Sequence, residues 1–341
     1  MTFNTVPGKL YIIGEQDVFG GSSSPYFKVG IVKDDREVES RLREHQTGNP
    51  RKLVIRDLVD VAAVEYLETN LHRRLATKVA FSEWFKLSDE DYADLLKLAR
   101  DLSDDVARQV PLAQRATELK DLVSNGVIIP ADGDVWQLHT ELYPETVKAK
   151  KFAGSISAVN TAVRSRVTDT ETPVIGQRQI EVEISKFNAE VFVQEHPELA
   201  EKFQKITVNG RFTPKKIKDI DTELDSFDPL KTVLSVSLDD LERMGEKELE
   251  QARRVLTEVE AKSAWSEIHH GVAVRSAIGE NDGIENVASW KRTSKSALDQ
   301  TRLKREESAI YEKFVEKVRV TRWVNINQGL EESTETSGDE S

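Results

Sequence analysis

An arginine and a histidine near the start of the chain have a spacing that could bring their side chains together in a catalytic site. Arg41 and His45 lie four residues apart in a segment that predicts a helix over residues 35–46. At about 100° per residue they share one helical face with Val38 and Leu42. A cation and an imidazole on such a face could stabilise negative charge and transfer a proton. They could equally be packing residues, because arginine extends its charge from an apolar face to water and histidine commonly forms hydrogen bonds there.

Glu68 is a carboxylate inside the apolar stripe of a second predicted helix, over residues 61–77. The stripe consists of four aliphatic residues, Val64, Leu67, Leu71 and Leu75. Glu68 projects only about 40° from the centre of that stripe. An unpaired carboxylate is costly to bury, so it needs a cationic side chain, a metal ion or an opening to water. An ion pair with Arg41 or Arg73 is the structural alternative to a metal site.

Short strands must hold these two helices in place. Residues 9–13 and 26–32 are β-prone and are separated by a loop of Gly, Ser and Pro, which predicts a hairpin. Residues 52–59 predict a third strand and residues 81–87 a short one. Ser88 and Asp91 match a capping box that begins a further helix. The predicted order is β-β-α-β-α, followed by a short strand and a helix.

Six short motifs follow one another in the order of a known nuclease domain. They are Leu10-Tyr11-Ile12-Ile13, Phe27-Lys28-Val29-Gly30, Arg41 with His45, Thr47-Gly48-Asn49-Pro50, Glu68-Thr69-Asn70-Leu71-His72 and Ser82-Glu83-Trp84-Phe85. Over about residues 8–90 the chain resembles the GIY-YIG nuclease superfamily, most closely its phage and bacterial branch with a Lys-Ile-Gly type of second motif. The second Tyr of that family is absent here. Its aligned position holds Lys28 or, one residue earlier, Phe27.

The resemblance implies a metal-dependent DNA endonuclease, with restriction, phage-defence or mobile-element roles. By it, Tyr11 would position or deprotonate the attacking water and Arg41 would stabilise negative charge on the phosphate. Glu68 would be the one protein carboxylate on a Mg²⁺ or Mn²⁺ ion. These roles suit phosphodiester hydrolysis, which needs an oriented water, positive charge at the phosphate and a Lewis acid. One carboxylate can suffice because Mg²⁺ keeps several of its water ligands.

The resemblance also gives supporting roles to three further residues. His45 would assist proton transfer, Lys28 would stand at the second motif, and Lys33 would touch a phosphate or lower the pKa of Tyr11. The missing Tyr leaves a second interpretation open, in which the protein is a catalytically inactive DNA-binding or scaffold module that kept the fold. The two interpretations differ in one testable respect, because only the nuclease needs Glu68.

Composition excludes several other functions. The 341 residues contain no Cys, which excludes disulfides, iron–sulfur clusters, Cys-based zinc fingers and thiol nucleophiles. A net charge of -12 argues against a protein that coats nucleic acid. No apolar run approaches the roughly 20 residues of a membrane-spanning helix. The first residues also lack the layout of a secretion signal, so we expect a cytoplasmic protein without membrane contact.

The remainder of the chain predicts mostly helix, including a long amphipathic helix or helix pair over residues 238–268 and another helix over 301–323. We therefore expect an α+β protein with a mainly α-helical C-terminal region, through which it could form a homodimer or bind a protein partner. The expected parts are a nuclease-like domain over 1–103, helical regions over 104–222 and 223–326, and a disordered acidic tail over 327–341.

Two basic runs in this remainder could contact DNA. The first consists of Lys148, Lys150, Lys151, Arg164 and Arg166. Residues 153–155, Ala-Gly-Ser, could form the turn of a helix-turn-helix within it, or a turn between two packing helices. The second run, Lys291, Arg292, Lys295, Arg302, Lys304 and Arg305, could grip DNA or be a solvated helix face. His269 and His270 are adjacent on a predicted helix, point in different directions and make a poor metal site.

Overall fold

The computed structural model of the chain describes residues 3–16, 24–167, 174 and 177–325. Its fold is α+β, as the sequence predicts. None of the helices in these residues combines the length and the apolar character that a bilayer crossing requires. The predicted acidic tail lies outside the described residues.

A five-stranded sheet in the order β3-β1-β2-β5-β4 forms the N-terminal part. Its strands are β1 (Gly8–Gln16), β2 (Tyr26–Lys33), β3 (Lys52–Val61), β4 (Val79–Phe81) and β5 (Trp84–Lys86). All neighbouring strands are antiparallel. The predicted hairpin and third strand are confirmed, while the short strand expected over 81–87 is a hairpin of two strands.

Three helices pack against this sheet: α1 (Val38–Gln46), α2 (Val64–Arg74) and α3 (Asp89–Lys120). A 3₁₀ turn, Ala76–Lys78, follows α2. Ser88 begins α3 through the predicted capping box, because its side chain accepts a hydrogen bond from the Asp91 backbone N–H and the Asp91 carboxylate binds the Ser88 backbone N–H. α1 ends just before Gly48, whose φ of 79° is a left-handed value that favours glycine. The apolar stripe predicted for α2 is buried.

The rest of the chain contains eight further helices in the described residues. They are α4 (Gly133–Arg164), α5 (Ala189–Glu195), α6 (Pro197–Lys202), α7 (Lys218–Asp225), α8 (Leu238–Leu241), α9 (Glu246–Ile278), α10 (Gln300–Glu306) and α11 (Ser308–Tyr311). A π turn, Leu230–Leu234, precedes α8, and a 3₁₀ turn, Glu312–Phe314, follows α11. α8 and α9 confirm the helix or helix pair predicted from residue 238.

Strands also occur where helix was expected. The single helix predicted over 301–323 is wrong, because two short helices, α10 and α11, cover its first half and a strand covers its second. The strands are β6 (Ile128–Ile129), β7 (Gln177–Phe187), β8 (Gln204–Gly210), β9 (Thr213–Pro214), β10 (Gly283–Ile284), β11 (Ala288–Ser289), β12 (Arg292–Leu298) and β13 (Val315–Asn325). β13 pairs with β7, and β12 pairs with β8, as two-stranded antiparallel ribbons. From Val318 to Val324, every second residue of β13 except Arg322 is valine, a period of two that is typical of a strand.

The predicted helix-turn-helix is also wrong, because α4 runs without a break through residues 153–155. Gly154 is exposed, and nothing lies close to the position that its Cβ would take. A glycine inside a helix costs only about 1 kcal/mol relative to alanine. The burial of Phe152 and Val159 on the same helix can offset that cost.

α9 joins the two parts of the chain. One buried cluster contains β1 and α2 residues together with Trp265 and Val272 of α9. The Asn70 side-chain amide donates to the Ala261 carbonyl over 2.9 Å, and Arg73 pairs with Glu260. The predicted boundaries at 103/104 and 222/223 lie inside α3 and α7.

Candidate active site

Tyr11 lies at the centre of the candidate site, on the sheet face that α1 covers. Its side chain is buried, and its ring packs directly over Gly30 of the neighbouring strand. A Cβ on residue 30 would collide with the Tyr11 hydroxyl, so this position accepts only glycine without displacing the ring. Burial raises the pKa of Tyr11 above its usual value. The phenol therefore carries its proton at neutral pH.

His45 contacts that phenol from the last turn of α1. The Tyr11 hydroxyl oxygen lies 3.1 Å from His45 Nε2. α1 is held in this position because Val38 and Leu42, on the same face as His45, pack in a cluster with Tyr11. Burial and the nearby charges of Lys28 and Arg41 lower the pKa of His45 to about 4. The imidazole is therefore neutral at pH 7, and in one of its two tautomers Nε2 accepts a hydrogen bond from the Tyr11 hydroxyl.

Arg41 brings positive charge to the same place, one helical turn before His45. Its charge and a hydrogen bond from its side chain both act to lower the pKa of Tyr11, against the larger effect of burial. Its guanidinium also pairs with Glu44 over 2.8 Å, and its side chain is 32% exposed. Arg41 is thus partly buried beside Tyr11 and still accessible to a substrate.

Lys28 is a second cation of the site, and it is buried. It lies on the same face of β2 as Gly30, since the two residues are two positions apart in the strand. Its ammonium pairs with Glu83, which lies in the turn between β4 and β5. Glu83 was not among the predicted site residues, although it belongs to the last of the six motifs. Only the sheet, which brings together residues 55 positions apart, reveals this contact.

Glu68 faces the site from α2 and has no partner among the described residues. No hydrogen bond or ion pair to its carboxylate occurs in the part of the chain that the structure describes. The ion pairs considered from the sequence are not formed, because Arg41 pairs with Glu44 and Arg73 with Glu260. Burial and the charge of Glu83 raise the pKa of Glu68 to about 7, while Lys28 and Arg41 oppose that rise.

These residues fit a divalent cation that keeps most of its water ligands. No group of three or more His, Asp or Glu side chains in the described residues could hold a metal ion. Mg²⁺ and Mn²⁺ accept one or two carboxylates with several waters, so the unpaired, half-buried Glu68 carboxylate supplies a suitable ligand. A cation there would also compensate the cost of burying that charge.

Lys33 is not part of this cluster. It points to the opposite face of β2 from Lys28, because five positions separate the two residues in a regularly paired strand. Its ammonium pairs with Glu65 over 2.7 Å. Lys33 is therefore not placed to lower the pKa of Tyr11, and that pKa is raised.

The basic residues of α4, and Arg166 just after its end, mostly contact the protein itself. Lys151 donates hydrogen bonds to the carbonyl oxygens of Leu224, Asp225 and Phe227, at the end of α7, over 2.6–3.0 Å. Arg166 donates to the carbonyls of Leu241 and Glu242. Lys148 pairs with Glu145 over 2.7 Å, the Arg164 guanidinium lies 5.3 Å from the centre of the Trp323 ring, and Lys150 is exposed.

Arg292, His269 and His270, which were also considered from the sequence, make contacts inside the fold. Arg292 of the second basic run is 1% exposed and donates to the carbonyls of Leu122 and Gly279. The prediction that His269 and His270 point apart is confirmed. His269 packs on Trp265, whereas His270 Nε2 lies 3.2 Å from His139 Nδ1 in the interface of α4 and α9.

Comparison of the chain with family models, with curated proteins and with solved structures finds no match. The chemistry of Tyr11, His45, Arg41, Lys28 and Glu68 therefore has to be inferred from their geometry and surroundings.

Proposed function

We propose that the N-terminal part of the chain is a metal-dependent endonuclease that hydrolyses phosphodiester bonds in DNA. One observation carries the proposal: the hydroxyl of buried Tyr11 contacts a neutral imidazole among two cations and an unpaired carboxylate. The resemblance of the six motifs to the GIY-YIG superfamily supports the same assignment. A DNA substrate also agrees with the cytoplasmic location that we expect.

Tyr11 and His45 can together take a proton from the attacking water. The phenol donates its proton to His45 Nε2, and the phenolic oxygen accepts the proton of the water, which attacks the phosphorus as hydroxide. The positive charges of Lys28 and Arg41 lower the pKa of His45 in the free protein. A bound phosphate offsets those charges, so His45 becomes a stronger base when the substrate is present.

Arg41 and Lys28 are the groups that stabilise the charge of the transition state. Negative charge grows on the phosphate oxygens as the water attacks, and fixed cations placed there in advance are effective because they need no reorganisation. The resemblance places Lys28 or, one residue earlier, Phe27 where the family has its second Tyr, and with Lys28 there the site has an ammonium in place of a hydroxyl. The contact with Glu83 keeps that ammonium ordered before substrate binds.

Glu68 is the residue that would hold Mg²⁺ or Mn²⁺. When bound, such an ion supplies Lewis acidity to the phosphate and the departing alkoxide. The Glu68 carboxylate fixes its place, and a pKa of about 7 means that the ion competes with a proton for the carboxylate near neutral pH.

A catalytically silent DNA-binding or scaffold module is the second candidate. It is favoured by one observation, that the Lys28 ammonium in the place of the second Tyr is bound to Glu83. Such a module would use Arg41 and Lys28 to contact phosphates and would not need Glu68. Homodimerisation or a protein partner through the C-terminal region is compatible with either candidate.

Incubation with supercoiled plasmid and with linear DNA, in Mg²⁺, Mn²⁺ or EDTA, separates the two candidates. We expect metal-dependent nicking that Glu68→Gln abolishes. Glu65→Gln is the matched control, because Glu65 lies on the same helix and pairs with Lys33 outside the site. Cutting that persists in Glu68→Gln would refute the proposed role of Glu68. DNA binding without cutting by the wild type would favour the silent module.

A further inference from the structure

Phe81 is the most exposed large apolar side chain in the N-terminal part that the structure describes, with 66% of its surface accessible. It ends β4, which is the edge strand of the sheet. A single exposed phenylalanine needs no explanation by itself. Phe81, however, lies close to the candidate site.

One cross-strand row connects Phe81 to the site. The register places Phe81 opposite Trp84, Trp84 opposite Lys28, and Lys28 opposite Ile13. Because neighbouring strands lie about 4.8 Å apart, the backbone of Phe81 is about 10 Å from that of Lys28. Trp84 between them packs with the cluster that contains Tyr11. An aromatic ring is therefore displayed two strands away from the buried ammonium.

The turn between β4 and β5 fixes both the aromatic ring and the cation. The pairing of β4 with β5 is irregular between Val79 and Phe81, and Ser82 has a left-handed φ of 50°. Phe81 precedes Ser82 and Glu83 follows it. Since Glu83 binds Lys28, the turn that orders the Lys28 ammonium also holds Phe81 outward at the rim of the site.

We propose that Phe81 stacks on an unpaired nucleobase next to the scissile phosphate, so that the preferred substrate is single-stranded or locally opened DNA. This inference rests on the proposed function. A DNA strand whose phosphate lies at Arg41 and Lys28 passes the rim of the site, and an exposed aromatic ring there meets a base. Bases of an intact duplex already stack on one another, whereas an unpaired base offers a free face. Stacking on Phe81 is expected to be tolerant of sequence, because every base has such a face.

Binding of 2-aminopurine oligonucleotides by the Glu68→Gln protein tests the inference without cleavage. We expect the single strand and a gapped duplex to bind at least about 10-fold more tightly than the intact duplex. Phe81→Ala should lower affinity for the single strand by about 10-fold and leave duplex affinity unchanged. Phe81→Trp should retain the affinity and the quenching of 2-aminopurine fluorescence, whereas Phe81→Leu should lose the quenching because it lacks a π-face.

Trp136→Ala is the matched control, because Trp136 is an aromatic residue of α4 that is 41% exposed. This variant should bind all three DNAs like the parent protein. Equal single-strand binding by Phe81→Ala, or a preference for intact duplex, would overturn the inference. Wild-type protein that cuts DNA while Phe81→Ala cuts every substrate equally well would refute the stacking role alone. Wild-type protein that neither binds nor cuts any DNA would refute the proposed function as well.

Discussion

The candidate site and helix α4 each carry a group of basic residues, but the two groups are used differently. In the site, Arg41 and Lys28 lie near a phenol, a neutral imidazole and a carboxylate that has no protein partner among the described residues. Lys151 of α4, and Arg166 just after the end of α4, donate to backbone carbonyl groups at the ends of neighbouring helical segments. The carbonyls at a helix C-terminus lack partners within the helix, so these cations stabilise the fold.

This difference shows that basic residues in a sequence indicate a function only when the groups that their side chains contact are known. Both groups consist of Lys and Arg residues, and both were candidates for contact with DNA. What distinguishes the site is incomplete pairing: a half-buried carboxylate, a pKa shift and a cation that stays accessible. Four experiments can break or sharpen this contrast.

Arg41→Ala should have the largest effect, a loss of about 100- to 1000-fold in kcat for DNA cleavage. The variant loses an interaction that stabilises the transition state, in which the phosphate carries most charge. Its effect on folding should be small, because the exposed ion pair of Arg41 with Glu44 contributes at most about 1 kcal/mol to stability. Cleavage kinetics and thermal unfolding measure the two effects separately. Arg43→Ala, an exposed position on the same helix, serves as control. A normal kcat in Arg41→Ala would refute the catalytic role of Arg41.

Lys151→Met should lower the free energy of unfolding by about 2–3 kcal/mol, because it leaves carbonyl groups of the α7 end without their donor. DNA affinity should not change. Urea unfolding and DNA titration provide the two measurements. Lys150→Met, at an exposed position next to it, should change stability by less than about 0.5 kcal/mol. Weaker DNA binding with unchanged stability in Lys151→Met would make α4 a DNA-binding surface after all.

Glu68→Gln should change how stability depends on pH. The folded pKa of Glu68 is raised to about 7, so the protonated carboxyl is favoured by folding. That contribution is fully present below the ordinary carboxyl pKa and is lost as pH rises through about 7. Relative to wild type, the variant should therefore gain about 1–2 kcal/mol between pH 4 and pH 8, after allowance for partial exposure of the group. Unfolding curves of both proteins in EDTA across this pH range test the prediction. If the two proteins show the same dependence of unfolding free energy on pH, Glu68 is paired with a cationic side chain.

Lys33→Ala should have the smallest effect, less than about a twofold change in cleavage rate. Its ammonium pairs with Glu65 on the other face of β2, so Tyr11 does not depend on it. A surface ion pair of this kind contributes at most about 1 kcal/mol. A shift in the pH profile of cleavage in this variant would show that Lys33 acts on the site, which would contradict its placement outside the cluster of site residues.

Local sequence patterns were sufficient for the elements that carry the site. The strands around Tyr11 and Lys28, the helices around Arg41 and Glu68, and the capping box at Ser88 follow from short-range periodicity and turn chemistry. The convergence of their side chains could be expected only by resemblance. The pairing of Lys28 with Glu83 and the exposure of Phe81 depend on strand register, which single residues do not encode.

Features that depend on distant partners could not be predicted. β13 pairs with β7 although the paired residues are 128–148 positions apart in the chain, and its dense charges, Lys317, Arg319 and Arg322, resemble those of a solvated helix. The turn expected at residues 153–155 did not form because neighbouring side chains of α4 are buried on both sides of Gly154. In both cases packing at long range outweighed the local preference of the sequence.

Helix α9 has a consequence for how this protein could evolve. Trp265 stacks on Tyr66 with ring centres 4.6 Å apart, and Thr77 donates a hydrogen bond to Glu258 over 2.6 Å. Recombination that moved residues 1–103 into another gene would leave these contacts behind and expose Tyr66 of α2. The N-terminal part is therefore not an independent domain that recombination can transfer alone. Its neighbours must be inherited with it, and changes in α9 should be tolerated only when α2 changes in compensation.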